Sequence, residues 1–406
     1  MATTKEQNER LTQVGPGTPM GNLLRRYWQP VALAAELKAN PVQSIRVLGE
    51  DLTLYEDRSG SYGLVAQRCP HRCTSLEYGI PEGHGLRCAY HGWVFDAAGN
   101  CIEQPFEDRV NPEANYKDRI HITAYPVEAL GGVLFAYMGP LPAPLCPRWD
   151  LLVRDDLERA IEVATLPCNW LQCMDNSADP VHFEFLHARF GNYELERQGK
   201  PPKMAPARHL KIAFDVFRFG IMKRRFLEGD REDSDDWTTG HPLLFPNTLA
   251  VGSKNDPSFQ FRLPVDDVTT RHITYRTVKR AEGAEPGPIS VRYIDLYNEQ
   301  GQIVGDTIPK QDFIAWIGQG PISDRTQEHL TATDQGVILY HKLLSENMNL
   351  VEAGQEPMGI IRDPAENEPM IDLHREGKRL QGFHVDDKEA FDDSFKRARE
   401  LASIHG

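Results

Sequence analysis

The sequence predicts an α+β protein: a small all-β domain followed by a larger domain of antiparallel sheet and helix. Three observations predict it. Residues 43–137 hold short β-branched or aromatic runs (SIRVLGEDLTLYED, SYGLVAQRC, GGVLFAYMG) separated by Gly, Asp and Ser turns. Residues 139–150, GPLPAPLCPRWD, are proline-rich and read as a linker. Beyond them strand-like stretches mix with helical ones, the pattern of an α+β domain. The expected boundaries are 1–42 for an N-terminal helical segment packing on the larger domain, 43–140 for the β domain and 141–406 for the larger one.

Each element has its own signal. In GPGTPMGNLLRRYW, residues 15–28, Thr18 is a helix N-cap with Pro19 at the first helical position. Leu23, Leu24, Tyr27 and Trp28 give that helix its packing face. After the linker, ERAIEVATLP reads as a strand and NWLQCMDNSADPVHFEFLH as a helix. Residues 203–225 are locally basic (Lys203, Arg208, Lys211, Arg218, Lys223, Arg224, Arg225) and alternate as strands. A solvated sheet face is the ordinary explanation for such a run, and a grip on an anionic substrate or a docking patch is the functional one. GHPLLFPNTLAVG and SFQFRLPVDDVTTRHITYRTV add strands. Residues 326–354 read as helical, and 386–404 as a charged amphipathic helix capping the fold.

Composition excludes several classes. The chain has 406 residues, 40% hydrophobic and 26% charged, with a formal net charge of -14, which argues against a general nucleic-acid binder. No apolar run approaches a membrane span, and no basic start leads into an apolar signal segment, so a cytoplasmic protein is expected. Seven cysteines in a chain this long point to metal, catalysis or burial rather than a disulfide framework.

The strongest motif lies in the β domain. Cys69-Pro70-His71 and Cys88-Ala89-Tyr90-His91 make C-x-H-x16-C-x-x-H. Each half offers one thiolate and one imidazole from a tight loop. Two Cys on one iron and two His on the other is the Rieske type of [2Fe-2S] cluster. A structural Cys2His2 zinc site uses the same ligand types, but its Cys-pair, His-pair spacing is absent. Gly79, Gly83, Gly85 and Gly92 suit loops whose backbone approaches the sulfides closely. Cys73, Cys101, Cys146, Cys168 and Cys173 read as buried small hydrophobes.

Further on, Asp179, His182 and His187 form D-x-x-H-x-x-x-x-H. Two imidazoles plus one carboxylate hold non-haem Fe(II) with positions open for oxygen. His187 is five residues past His182, off the same helical stripe, so the two converge only if the helix ends or bulges near Phe185. Asp179 sits where a carboxylate can hydrogen-bond the far nitrogen of a ligand histidine.

CPH…CAYH followed by DPVHFEFLH resembles the oxygenase component of Rieske non-haem iron oxygenases. MGNLLRRYW, GGVLFAYMG and QDFIAWIGQGPISDRTQEHL resemble the phthalate dioxygenase-like branch, and most of all O-demethylases of lignin-derived biaryl acids such as 5,5'-dehydrodivanillate. The resemblance implies that Cys69, His71, Cys88 and His91 hold the cluster and that His182 and His187 hold the iron. It implies that Asp179 bridges the electron path from a neighbouring subunit to His182. The third ligand would be a downstream carboxylate, Asp312 or, as runner-up, Asp324, each of which also reads as a cap or turn aspartate. Some relatives carry asparagine where this chain has Asp175, which is given no role.

The implied reaction uses O2 and externally supplied electrons to oxidise an aromatic carboxylate. The expected outcome is O-demethylation with formaldehyde release, with ring cis-dihydroxylation as the alternative. No G-x-G-x-x-G lies between a strand and a helix, so NAD(P)H acts only through a separate reductase, with or without a ferredoxin. A head-to-tail homotrimer is expected. Substrate-contact candidates are Arg218, Arg225 or Arg262 for a carboxylate, and Trp237, His241 and Phe245 for an aromatic pocket. Two other classes stand beside this reading: a non-catalytic Rieske electron carrier, against which His182, His187 and the long C-terminal part argue, and a zinc-stabilised binding protein, which would be colourless.

Overall fold

The computed structural model describes residues 3–204, 207–252, 257–373 and 383–385. The expected C-terminal helix at 386–404 lies outside the described residues. α1 (Lys5–Thr12) and α2 (Pro19–Leu24) open the chain. The Thr18 hydroxyl accepts the Gly21 N–H at 3.1 Å, and Pro19 sits in the first turn, where an amide would have no helical partner. Beyond this helix comes a strand, β1 (Trp28–Leu33), before α3 (Ala34–Ala39). β1 is specified by a remote partner, β11 (Val133–Tyr137), so local pattern reading missed it.

Three small antiparallel sheets follow. β2 (Val42–Val47), β3 (Glu50–Glu56), β4 (Tyr62–Ala66) and β9 (Ala124–Tyr125) form one. β5 (Ile80–Glu82), β6 (Gly85–Arg87), β7 (Val94–Phe95) and β8 (Cys101–Glu103) form the second, with α4 (Glu107–Val110) behind it. β10 (Val127–Leu130) joins β1 and β11 in the third. Tyr55, Val65, Leu76, Leu86 and Phe95 pack with Cys69 and Cys88 into one core, so the two Cys–His loops hang from the same packed centre.

α5 (Asp150–Val153) leads into a nine-stranded sheet. Its strands are β12 (Leu157–Leu166), β13 (His209–Phe217), β14 (Gly220–Leu227), β15 (His241–Leu244), β16 (Thr248–Val251), β17 (Ser258–Asp266), β18 (Thr269–Lys279), β19 (Ser290–Tyr293) and β20 (Phe383–Val385). The order is β19-β12-β18-β17-β16-β15-β14-β13-β20, antiparallel throughout except for β12 with β19. Phe259, Phe261, Ile273 and Tyr275 point to one core. Phe214, Ile221 and Leu243 point to another, under Trp170, Leu171 and Met174 of α6 (Trp170–Ala178) and Tyr340 of α10 (Gln335–Glu352). Burying such a side chain contributes about 1.5–3 kcal/mol. α7 (Gly191–Arg197), α8 (Asp235–Thr238) and α9 (Ile308–Gly318) complete the described helices. The helix expected from 326 begins only at Gln335, after short 3-10 turns at Arg325–Gln327 and Ala332–Asp334.

The basic run at 203–225 is not simply a solvated face: Lys223 and Arg224 are 8% and 4% exposed. Arg224 Nε donates to buried Asp215 Oδ2 at 2.7 Å. Among the described residues no helix is long and apolar enough to cross a membrane.

Candidate metal and cluster centres

Two loops of the small domain have the same local design. The Cys73 N–H donates to the Cys69 carbonyl at 2.9 Å, and the Gly92 N–H donates to the Cys88 carbonyl at 3.0 Å. Both closing residues have positive φ, +57° at Cys73 and +76° at Gly92. Each turn therefore presents its cysteine inward and its histidine beside it. Cys69 and Cys88 are buried. The rings of His71 and His91 lie 4.3 Å apart, and His71 stacks on Trp93 at 4.6 Å and 8°. His71 Nδ1 is buried with no hydrogen-bond partner among the described residues. Burial pushes the Cys69 thiol up to about 12, so a thiolate there needs a cation against it. Two buried thiols with an orphaned imidazole nitrogen fit a cluster ligated by two Cys and two His.

The second centre rests on a change of helix. α6 stops at Ala178, and Phe183–Phe190 continues as a π-helix. Five residues of α-helix turn about 500°, about 140° off register. The wider π turn removes most of that offset. The rings of His182 and His187 accordingly lie 5.1 Å apart. Asp312, on α9, comes between them: its Oδ1 is 3.9 Å from His182 Nε2 and 3.3 Å from His187 Nε2. The three candidate ligand atoms all lie within 4.8 Å of one another.

Both far nitrogens are spoken for. His182 Nδ1 donates to the Asp179 carbonyl at 2.7 Å, and His187 Nδ1 donates to Gln311 Oε1 at 2.9 Å. Gln311 is itself held through Nε2 to the Gly305 carbonyl at 3.0 Å. These bonds set the tautomer that leaves Nε2 bare for a cation. Burial drives His182 down to about 3, despite the Asp312 charge, so it is a neutral ligand. Burial also pulls on His187, but the hydrogen bond and charge of Asp312 outweigh it and the net shift is upward. Two imidazoles facing one carboxylate suit a divalent metal with open positions.

The other named residues fall in several places. Asp179 ends α6; its carboxylate accepts the Val181 N–H at 2.7 Å and stays 3.8 Å from His182 Nδ1, so the backbone carbonyl rather than the expected carboxylate holds that nitrogen, and burial raises the carboxyl to about 6. Asp324 caps the turn at Arg325–Gln327 through the Thr326 N–H. Arg218 is exposed at the β13–β14 turn, with both terminal amines on Glu366 at 2.8 and 2.6 Å. Phe245 packs between Tyr27 and Tyr340, and Trp237 against Phe226, with the Lys211 amine over its ring. Arg262 is buried over Trp316 and bonded to Gln260. His241 is buried 3.6 Å from Asp236, with Arg225 and Lys223 as neighbouring charges. Arg218 and Phe245 thus belong to a surface pair and to the core rather than to the triad of His182, His187 and Asp312.

Sequence reasoning missed Gln311, although it is adjacent to Asp312, and Asn176, whose amide donates to Asp312 Oδ1 at 3.4 Å. It also gave Asp175 no part. Asp175 is half-buried, accepting from His341 Nε2 at 2.7 Å and from Arg325 Nη2 at 2.6 Å, and so ties α6 to α10.

Known proteins match this arrangement. The Rieske [2Fe-2S] domain family matches residues 27–123, and a family described as LigXa C-terminal domain like matches 297–372. The 5,5'-dehydrodivanillate O-demethylase oxygenase subunit of Sphingobium sp. (strain NBRC 103272 / SYK-6) is 43% identical over 95% of this chain and 90% of its own length. The phenoxybenzoate dioxygenase subunit alpha of Ectopseudomonas oleovorans is 34% identical over 86% of this chain and 87% of its own. The phthalate 4,5-dioxygenase oxygenase subunit of Pseudomonas putida is 28% identical over 88% of each. In fold, the chain resembles the solved structure of NdmA from Pseudomonas putida CBB5, with a TM-score of 0.60 and 20% identity over 82% of this chain and 94% of that one.

Proposed function

Because the chain belongs to the Rieske non-haem iron oxygenase family, we propose that it O-demethylates a methoxylated, lignin-derived biaryl acid and releases formaldehyde. It is an oxygenase component of the kind that acts on aromatic acids, takes O2 as co-substrate and receives electrons from a separate donor. The family carries a Rieske [2Fe-2S] cluster and a mononuclear iron. The observation that carries the demethylase reading is the 43% identity to a named O-demethylase subunit across 95% of this chain.

In this reading Cys69, His71, Cys88 and His91 hold the cluster, and His182, His187 and Asp312 hold Fe(II). When bound, the two centres supply the electrons and the open coordination positions that O2 activation needs. The chain's own work is orientation. Gln311 and the Asp179 carbonyl fix the tautomers of His187 and His182. The Asp179 carboxylate, 3.8 Å from His182 Nδ1, stands on the electron path from His91 of the partner subunit to His182 in a head-to-tail homotrimer. One oxygen atom enters a methyl C–H bond, while two electrons and two protons reduce the other to water. The resulting hemiacetal collapses to a phenol and formaldehyde. The electrons come from an NAD(P)H-dependent reductase, with or without a ferredoxin. No disulfide links cysteines among the described residues, and a cytoplasmic location is part of this reading.

Ring cis-dihydroxylation of a phthalate-like acid is the second reading, favoured by the relatives named as dioxygenases. A single turnover of reduced, iron-loaded enzyme with 5,5'-dehydrodivanillate separates the two. Formaldehyde in near-stoichiometric yield supports demethylation. A ring diol from phthalate, with no formaldehyde from the biaryl acid, replaces it with the second reading.

A further inference from the structure

We propose that Lys223 and Arg225, on the inward face of β14, form an anion subsite beside His182, His187 and Asp312 that takes a carboxylate or phenolate of the substrate. The inference rests on the oxygenase reading and names the substrate group that the site selects.

The two residues are i and i+2 on one strand, so both point to the helix-covered side of the sheet. Lys223 Nζ donates to the Ser177 carbonyl at 2.7 Å. An ammonium has three donors, and among the described residues this neutral carbonyl is the one hydrogen-bond acceptor Lys223 has. Arg225 Nε is held by Asp236 Oδ2 at 2.6 Å. Its guanidinium lies 4.6 Å over the Phe183 ring, and Phe183 packs edge-on to His187 at 5.6 Å. The guanidinium is thus one ring away from a candidate iron ligand. Its terminal amines carry no hydrogen bond among the described residues.

Such a pair is costly as it stands. Two like charges share a water-poor face, and one of them is 8% exposed. Asp236 is divided between Arg225 and His241, and the acids whose charge reaches Lys223 are Asp179 and Asp312, neither of which hydrogen-bonds it. An incoming anion would relieve the repulsion and use the spare donors. Arg225 offers planar, two-pronged geometry for a carboxylate, and Lys223 a point charge for a second oxygen.

The test compares binding of an acid with that of its neutral ester, by calorimetry on anaerobic, iron-loaded enzyme without reductant. The probes are 5,5'-dehydrodivanillate and its dimethyl ester. Arg225→Met and Lys223→Met should each weaken acid binding about tenfold or more and ester binding about twofold or less. Arg225→Lys should restore part of the loss. Equal weakening of acid and ester, with iron content preserved, would make the residues structural and overturn the subsite. Unchanged acid binding would overturn it too. If wild type binds neither this acid nor phthalate, the aromatic-acid reading fails first, and the subsite with it.

Discussion

His187 and Asp312 face each other at 3.3 Å, and the residue preceding Asp312, Gln311, grips the opposite side of the same ring at 2.9 Å. One turn of α9 therefore positions both a carboxylate and the tautomer of its histidine partner. Gln311→Ala removes the grip without touching a ligand atom. It should lower retention of the mononuclear metal about 10–100-fold, as loss of such supporting bonds does. Iron counted after a chelator challenge checks this, with the visible spectrum of the cluster unchanged.

The approach of α10 to α6 is close enough to require glycine. A Cβ on Gly336 would lie 2.2 Å from the Ala178 carbonyl oxygen and 2.4 Å from the Phe214 ring. Gly336→Ala should destabilise the protein by about 1–3 kcal/mol and displace the end of α6 that carries Asp179. Gly318→Ala meets nothing within 4 Å and should be neutral or slightly stabilising. Thermal unfolding of the two variants compares them directly.

Much of this was legible in the sequence where the chemistry is local. Cys69 with His71 and Cys88 with His91 each occupy one tight turn, so their spacing carries the signal. His182 and His187 were legible as residue types, but their convergence depends on a π-helix that helical periodicity does not report. The sequence favours Asp312 over Asp324 only through the resemblance, because bringing either to the histidines depends on how α9 packs against α6. Lys223 and Arg225 were visible as charges. Their inward direction follows from the place of β14 in a nine-stranded sheet, which no local pattern reports.

Asp175 and Arg325 form a partly buried ion pair, with Arg325 fully buried. Asp175→Ala leaves that guanidinium with Glu328 at 3.9 Å as its remaining carboxylate and with Asn8 at 3.2 Å, and should cost about 3 kcal/mol. Glu366→Ala breaks the exposed pair with Arg218 and should cost under about 1 kcal/mol. Denaturant midpoints of the two variants measure the contrast.

Asp150 supplies a pH dependence away from both centres. Burial, aided by the charge of Asp372, raises its carboxyl to about 6. A carboxyl raised in the folded state binds more protons there than in the unfolded chain. Its cost is therefore absent at pH 4, grows between about 4 and 6, and is constant above. Asp150→Asn should gain up to about 2 kcal/mol at pH 7.5 and almost nothing at pH 4. Unfolding at the two pH values checks the sign.

The most direct test of two metal centres in one chain is a count of iron and acid-labile sulfide in purified wild type, His182→Ala, Asp312→Ala and Asp324→Ala. The account predicts about three irons and about two sulfides per wild-type chain. It predicts loss of about one iron, with sulfide unchanged, on replacing His182 or Asp312, and no loss on replacing Asp324. Wild type with about two irons, or full iron in Asp312→Ala, would contradict it.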